Sequence, residues 1–543
     1  MSSPAPSTRL ALPLVALAGT LACFAAPSPA FGLTLLAFGM ATLYWPRSTT
    51  RRYGLDAGVR DSALLALATA MLVVGVKDDV IRLLFDGTVR VSNVYHYYLG
   101  AKYAPELGYT DLYAATLAAD REGEGYWEQA IDEVRDLESY RIVPREELAA
   151  RYQPELAFSA ERWSEFKDDV AAFSHRRRAK RWRNVFRDRG YNATPLWTVV
   201  GRSIAALVPA ASPWLPLVAL LDIILLALTA VLVARTFGRT QAILVLLLFV
   251  ASPTNITRLT GGFLQTDWLC AITCSLCCYR RQRPGVAGAL MAYAVMTRVF
   301  PLLLVAGACL PVVRQALSER RFPRLPRRLA RYLLSVATFC LLGLALSLAN
   351  GRGAAAWFEF VEAIELHRGE HVLGERRIGL EHAFTGDFAH FPAAVDREQR
   401  AELLHNRQLL AGATKILMLA LLLAAATRRT AWNAQLLALA AVFALLVLSR
   451  YYYGTLALMP LLSVGEAPRR RFLAGGQMAV FLLVVVAIHF GAGWHASYAL
   501  FNVLLALYFA GACIIGLHSA HRSRSAARSG SQPPPKSVIH GAR

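Results

Sequence analysis

Three carboxylates, Asp78, Asp79 and Asp86, follow directly on an apolar block, and an arginine, Arg298, stands at the end of another. A carboxylate placed beside a hydroxyl can take its proton as a general base. A guanidinium can hold an oxyanion while charge develops on it. Placing Arg in a membrane segment is costly enough to make function its first reading, the plainer one being a side chain that snorkels to the interface. Among the acids, Asp78 and Asp79 sit at a predicted helix C-terminal end, where the helix dipole serves a carboxylate poorly. Asp86 lies in Phe85-Asp86-Gly87, a setting that either projects a side chain into a cleft or simply forms a turn. The order of preference for a base is therefore Asp86, then Asp79, then Asp78. Two metal-like spacings also occur. His367-Arg-Gly-Glu370-His371 matches H-x-x-E-H, in which two histidines bind zinc and the Glu acts as base; against it, Gly369 weakens the helix and no third ligand stands out. Cys274-x-x-Cys277 lies on an apolar helix without a second pair and reads as packing.

The elements that must position these groups are membrane helices. The chain has 543 residues, 55% of them hydrophobic, yet carries 58 Lys+Arg against 37 Asp+Glu for a net charge of +21; its mean hydropathy is +0.38. In a soluble protein such charge would suggest nucleic acid, but here the Arg clusters fall between apolar blocks, so no nucleic-acid partner is inferred. The blocks suit helices crossing a hydrocarbon layer of about 30 Å. They fall near 9–25, 30–46, 59–77, 213–234, 240–252, 264–280, 286–298, 301–314, 329–349, 410–426, 432–448, 451–465, 472–490 and 496–517. With the N-terminus in the cytoplasm, the loops at 47–52, 235–239, 280–283, 314–331, 428–429 and 469–471 and the tail all lie inside, and all are basic. The short loops at 253–263 and 490–495 carry almost no positive charge, which is the positive-inside pattern. The first block reads as an uncleaved helix in preference to a signal peptide, since only Arg9 supplies an N-terminal charge.

The expected fold class is thus an all-α polytopic membrane protein of about 12–14 transmembrane helices with two large extracytoplasmic loops. It divides into an N-terminal membrane hairpin (1–58), a membrane core (59–465) that includes loops 78–200 and 350–409, C-terminal membrane helices (466–517) and a disordered basic cytoplasmic tail (518–543). Loop 350–409 holds five of the twelve histidines. In the first loop, 126–137 and 161–173 mix aromatic and charged residues at helical spacing. The run 175–189 reads either as an amphipathic helix lying on anionic headgroups or as a solvated helix face.

A resemblance runs through the middle of the chain. It is carried by Gly-Gly-Phe-Leu-Gln265-Thr-Asp267-Trp, the basic turn Arg-Arg-Gln-Arg-Pro, and Ala287-Gly288 followed by Thr-Arg298-Val-Phe-Pro301. Further pieces follow in order: Tyr97-Tyr98-Leu-Gly-Ala-Lys102-Tyr103 upstream, then Trp357-Phe-Glu-Phe leading to His367 and Gly379-Leu380, then Tyr451-Tyr452-Tyr453 before Pro460. Over about 78–465 the chain resembles the polyprenyl-phosphate-dependent GT-C glycosyltransferases, particularly the bacterial mannosyltransferase-like family 87. The resemblance implies a GT-C-like bundle in the bacterial inner membrane, with the C-terminus in the cytoplasm. It implies transfer of a sugar such as mannose from a polyprenyl-phosphate donor to a lipid or glycan acceptor on the extracytoplasmic face. The catalytic acid would come from Asp86, Asp79 or Asp78; Arg298 and His367 would hold the donor phosphate; Tyr97, Lys102, Gln265, Asp267 and Tyr452 would line the substrate site.

Two positions depart from the pattern. Asn93 stands where alignment on Tyr97 expects the acid, and Tyr452-Tyr453 stands where the family carries His-Tyr. Either the base is Asp86 or Asp79, or the register differs, or the chain has lost transfer activity. A transporter or flippase of a lipid-linked saccharide is the alternative, and it predicts acids and breaks within the spans. No cofactor is implied beyond the polyprenyl-phosphate sugar, and the sugar, the acceptor, a divalent metal and the oligomeric state are not encoded in any of these motifs. The charge alternation predicts that Cys introduced at Glu122 and Gly374 is labelled from outside intact cells while Cys at Ser318 is not; labelling at 318 would overturn the topology.

Overall fold

In the computed structural model, residues 89–528 are described except 129, 177, 253–261, 322, 370–371, 427–429 and 465–466, together with Leu64, Leu65, Leu67 and Ala68. The expected hairpin at 1–58, the acids Asp78, Asp79 and Asp86, and Glu370 and His371 lie outside the described residues, as does the tail from 529. Helix α-structure dominates the rest, and six helices are long and apolar enough to cross a membrane: Leu215–Phe237, Leu302–Glu319, Arg327–Asn350, Gln408–Ala425, Arg471–Ile488 and Trp494–Ile515. The chain is an all-α, multi-pass membrane protein.

Two apolar bodies form. The first polar segment builds one around aromatic side chains: α1 (Val91–Lys102), α2 (Leu112–Glu122), α3 (Ala160–Ser174), α4 (Ala179–Phe186) and α5 (Pro195–Leu207) bury Tyr95, Tyr98, Tyr113, Trp127, Trp182 and Trp197 completely or nearly so. Helix α3 matches the expected 161–173 and is capped by Ser159, whose hydroxyl accepts the Arg162 N–H. The expected helix at 126–137 does not form. The Asp120 carboxylate accepts the Tyr126 and Trp127 backbone N–H groups (2.8 and 3.1 Å), bending the chain into a turn, and Glu133–Arg135 then pairs as a strand with Ile142–Pro144. Nor does 175–189 lie on headgroups with its apolar face. Only α4 is helical there, and Trp182, Val185 and Phe186 are consumed by the aromatic core.

The second body is the membrane bundle. Helix α6 (Leu215–Phe237) enters with Pro216 in its first turn and ends at Gly238, whose φ of +94° only glycine adopts without strain. Then follow α7 (Arg239–Ala251), α8 (Asp267–Arg280), α9 (Pro284–Arg298), α10 (Leu302–Glu319) and α11 (Arg327–Ser347). Helices α7, α8 and α9, of 13, 14 and 15 residues, are shorter than the roughly 20 a perpendicular crossing needs. The expected span 451–465 is a 3-10 helix, Arg450–Ser463; at about 2.0 Å rise per residue it reaches as far as a much longer α-helix. The Arg280 guanidinium lies over Phe237 (4.9 Å) and Trp432 (5.2 Å), so the basic turns at 235–239 and 280–283 share one end of the bundle. The C-terminal helix, Trp494–Arg528, carries on into the predicted tail.

Small residues bring α9 against α11. A Cβ on Gly288 would stand 2.5 Å from the Tyr332 carbonyl oxygen and 2.6 Å from Ser335 Cβ, and Ser335 donates to the Gly285 carbonyl at 2.6 Å. Gly288→Leu is expected to push the two helices apart and cost on the order of 2 kcal/mol, read as a lowered thermal unfolding midpoint in detergent; an unchanged midpoint would show that the contact is loose.

Candidate active site

The residues that could do chemistry meet at the other end of the bundle. Helix α7 ends there, α8 begins there and α9 ends there, and the first aromatic body closes over them. Between the two lies a polar cavity of about 370 Å³. Arg90, Asn93, His96 and Tyr97 line it from α1 and its approach, Asp188 and Arg189 from the end of α4, Gln265 and Trp268 from the turn into α8, Arg298 from α9, and Arg377, Ser449 and Tyr451 from the later chain.

The turn at 262–266 is held from both sides. Asp222, in the second turn of apolar α6, accepts the Gln265 N–H (2.9 Å), the Thr266 N–H (2.8 Å) and the Thr266 hydroxyl (2.7 Å). From the opposite body Asn93 Oδ1 accepts the Phe263 N–H at 2.8 Å. Through that bond the Asn93 side chain anchors the cavity wall. Asp267 is buried, with one oxygen taking the Trp268 N–H (2.8 Å) and the other the Tyr293 hydroxyl (2.6 Å). It does not line the cavity; it ties α8 to α9 just before Arg298.

Arg298 closes α9 through a strained turn. Val299 has φ +50° and ψ −51°, and the Phe300 N–H donates to the Arg298 carbonyl at 2.5 Å, a γ-turn of the rare positive-φ kind. A β-branched residue in that region is a clear outlier. Arg298 Nη1 donates to the Thr297 carbonyl (2.9 Å), while Nε is buried without a hydrogen-bond partner among the described residues. The Phe300 and Trp268 rings pack on Tyr452 at 5.4 and 5.5 Å, and Tyr452 in turn lies 4.3 Å from the Tyr451 ring. Tyr452 thus sits behind the wall and Tyr451 on it.

A second cation comes from the later polar segment. Arg377–Ile378 pairs as a short antiparallel strand with Leu448–Ser449, and Arg377 Nη1 donates to Ser449 Oγ at 2.5 Å. Asn502, on the last helix, fixes this strand by accepting the Gly379 N–H (2.8 Å) and donating to the Arg377 carbonyl (3.0 Å).

On the α1 side, His96 Nε2 lies 2.7 Å from the Tyr113 hydroxyl. The same hydroxyl donates to the Val185 carbonyl at 2.6 Å, which ties α1 to the end of α4. Burial pushes the His96 imidazole below its ordinary pKa while the nearby Asp188 charge works against that, leaving the ring neutral at neutral pH.

Of the residues singled out from sequence, Tyr97, Gln265 and Arg298 meet in the cavity. Lys102 does not: it is 6% exposed, bonded to Asp169 (2.6 Å) and Glu165 (2.7 Å) inside the aromatic body. His367 lies in the helix Ala355–Gly369. Sequence reasoning passed over Arg90, His96, Asp188, Arg189, Asp222 and Arg377. Only Asp222 had a direct signal, an acid within an apolar span.

Comparison with protein-family models, with curated proteins and with solved structures gives no match to this chain. The buried Lys102–Asp169 ion pair predicts that Lys102→Met destabilises the protein by about 3 kcal/mol, read as a lowered thermal unfolding midpoint in detergent. An unchanged midpoint would show that the pair does not hold the aromatic body together.

Proposed function

We propose that this protein is a GT-C-type membrane glycosyltransferase that moves a sugar from a polyprenyl-phosphate donor to a lipid or glycan acceptor at the extracytoplasmic face of a bacterial inner membrane. The observation that carries the reading is a pair of neighbouring cavities of opposite character. The polar one is lined by four arginines and one aspartate. Beside it lies an apolar groove of about 490 Å³ between α6, α7, α8 and the 3-10 helix, lined by Ile223, Leu226, Val245, Leu246, Cys270, Ala457 and Leu458 among others. Phe249 and Leu269 line both. An anionic head on a long hydrocarbon tail is the ligand shape that fills a cationic cavity and an adjoining apolar groove at once, and each CH₂ buried in the groove contributes about 0.8 kcal/mol.

In this reading Arg298, with Arg377, holds the donor phosphate and stabilises it as the bond to the sugar breaks. Gln265, Tyr97 and Tyr451 offer hydrogen bonds to sugar hydroxyls. The basic turns at 235–239 and 280–283 then face the cytoplasm and the cavity faces out, in keeping with the charge pattern. In this reading the membrane bundle is GT-C-like.

The test is transfer of label from radiolabelled polyprenyl-phosphate mannose to extracted envelope lipid or glycan by the purified protein; no transfer from this or another polyprenyl-phosphate sugar would count against the reading. Arg298→Ala is expected to lose about 100-fold or more in rate with the protein still eluting as a folded species. Arg298→Lys, which restores the charge but not the planar fork, should recover part of it. A wild-type rate in the Ala variant would remove Arg298 from the phosphate site.

A further inference from the structure

We propose that Asp188 is the general base of the transfer, an assignment that rests on the glycosyltransferase reading. Among the described residues that line the polar cavity it is the one carboxylate. Its Oδ1 accepts the Arg189 N–H at 2.9 Å. No hydrogen bond or ion pair of Oδ2 is formed with another described side chain, so that oxygen can meet an acceptor hydroxyl in the cavity.

The segment that carries Asp188 is clamped on both sides. Upstream, α4 is anchored by the buried Trp182, Val185 and Phe186. The Tyr113 hydroxyl donates to the Val185 carbonyl (2.6 Å) and accepts the Gly190 N–H (3.3 Å), so one phenol holds both ends of the stretch from Val185 to Gly190 that contains Asp188. His96 Nε2 is hydrogen-bonded to the same oxygen at 2.7 Å and holds the phenol in place. Gly190 has φ +66°, and a Cβ there would stand 2.5 Å from Leu137 Cδ1, which fixes the turn against the core. A carboxylate on so restrained a turn keeps its place relative to the bound donor, and catalysis by a base depends on that. His96 and Tyr113 are positioning residues.

The step balances as follows. The acceptor hydroxyl gives its proton to the Asp188 carboxylate as its oxygen bonds to the anomeric carbon. The bond from that carbon to the donor phosphate oxygen breaks, and its electron pair leaves with the polyprenyl phosphate, whose charge the arginines receive. The proton on Asp188 passes to water through the open cavity.

The experiment compares Asp188→Asn with wild type in two measurements on the full-length protein in detergent: binding of radiolabelled polyprenyl-phosphate mannose, and transfer of its label to extracted acceptor over a range of pH. Asn keeps the shape and the Arg189 contact. The expected result is donor affinity within about threefold of wild type and transfer at least about 100-fold slower. Asp188→Glu should recover part of the rate. Transfer by Asp188→Asn at more than about a third of the wild-type rate would overturn the assignment while leaving the glycosyltransferase reading intact. Loss of donor binding in Asp188→Asn would also overturn it, by showing a binding role. A wild-type protein that neither binds the donor nor transfers it would end both.

Discussion

A carboxylate within an apolar helix holds the rest in place. Asp222 is buried in α6 among leucines and isoleucines, a position that costs free energy unless both oxygens are hydrogen-bonded. Three donors from Gln265 and Thr266 use them. The turn they belong to starts α8, presents Gln265 and Trp268 to the cavity, and through Phe263 receives the anchor from Asn93 in the other body. That fastening ties the turn that starts α8 both to α6 and to the aromatic body, in addition to the Arg202 bond to the Asn350 carbonyl that joins α5 to the end of α11.

The aromatic body solves a different problem. The segment from 89 to 214 is charged and lacks long apolar runs, yet it must keep Asp188, His96 and Tyr97 in register with helix ends in the membrane. It does so with large rings in edge-to-face contact, Trp182 against Tyr95 and Trp127 at 5.1 and 5.0 Å, and with phenols that reach backbone carbonyls. Basic α4 spends its apolar face on this core, and its charged face is what remains exposed.

Much of this was legible in the sequence, and for a physical reason. Apolar blocks near 213–234, 329–349, 410–426 and 496–517 match long helices because a segment that must satisfy its own backbone in hydrocarbon writes its length into composition. Arg298 was legible because a cation there contradicts its surroundings. The same rule applied to Asp222 would have found it, since an acid inside an apolar block carries the same signal. Asp188, His96 and Arg377 were not legible, since a charged residue in a charged loop gives no local signal and only the folded topology brings it to the cavity. Lys102 misled for the converse reason: its neighbours Tyr97 and Tyr98 resemble a motif, while its partners Asp169 and Glu165 lie more than sixty residues away. The segment 126–137 misled because a turn nucleated by Asp120 outweighs helical spacing.

The charge set of the cavity follows from the same constraints. Four arginines facing one aspartate repel one another, and water in a confined space screens that repulsion less well than bulk solvent does. Arg298 in addition sits at the C-terminal end of α9, where the helix dipole favours a cation, so the fold itself offsets part of its cost. Its Nε nonetheless stays buried without a hydrogen-bond partner among the described residues, and Val299 stays in a strained γ-turn beside it. A site that carries uncompensated donor capacity and backbone strain at one point is stabilised by an anion that supplies acceptors there. On the proposed reading that anion is the donor phosphate, which gathers charge on its oxygens as the bond to the sugar breaks, so the same arginines would bind the transition state more tightly than the ground state. That difference is what accelerates a reaction.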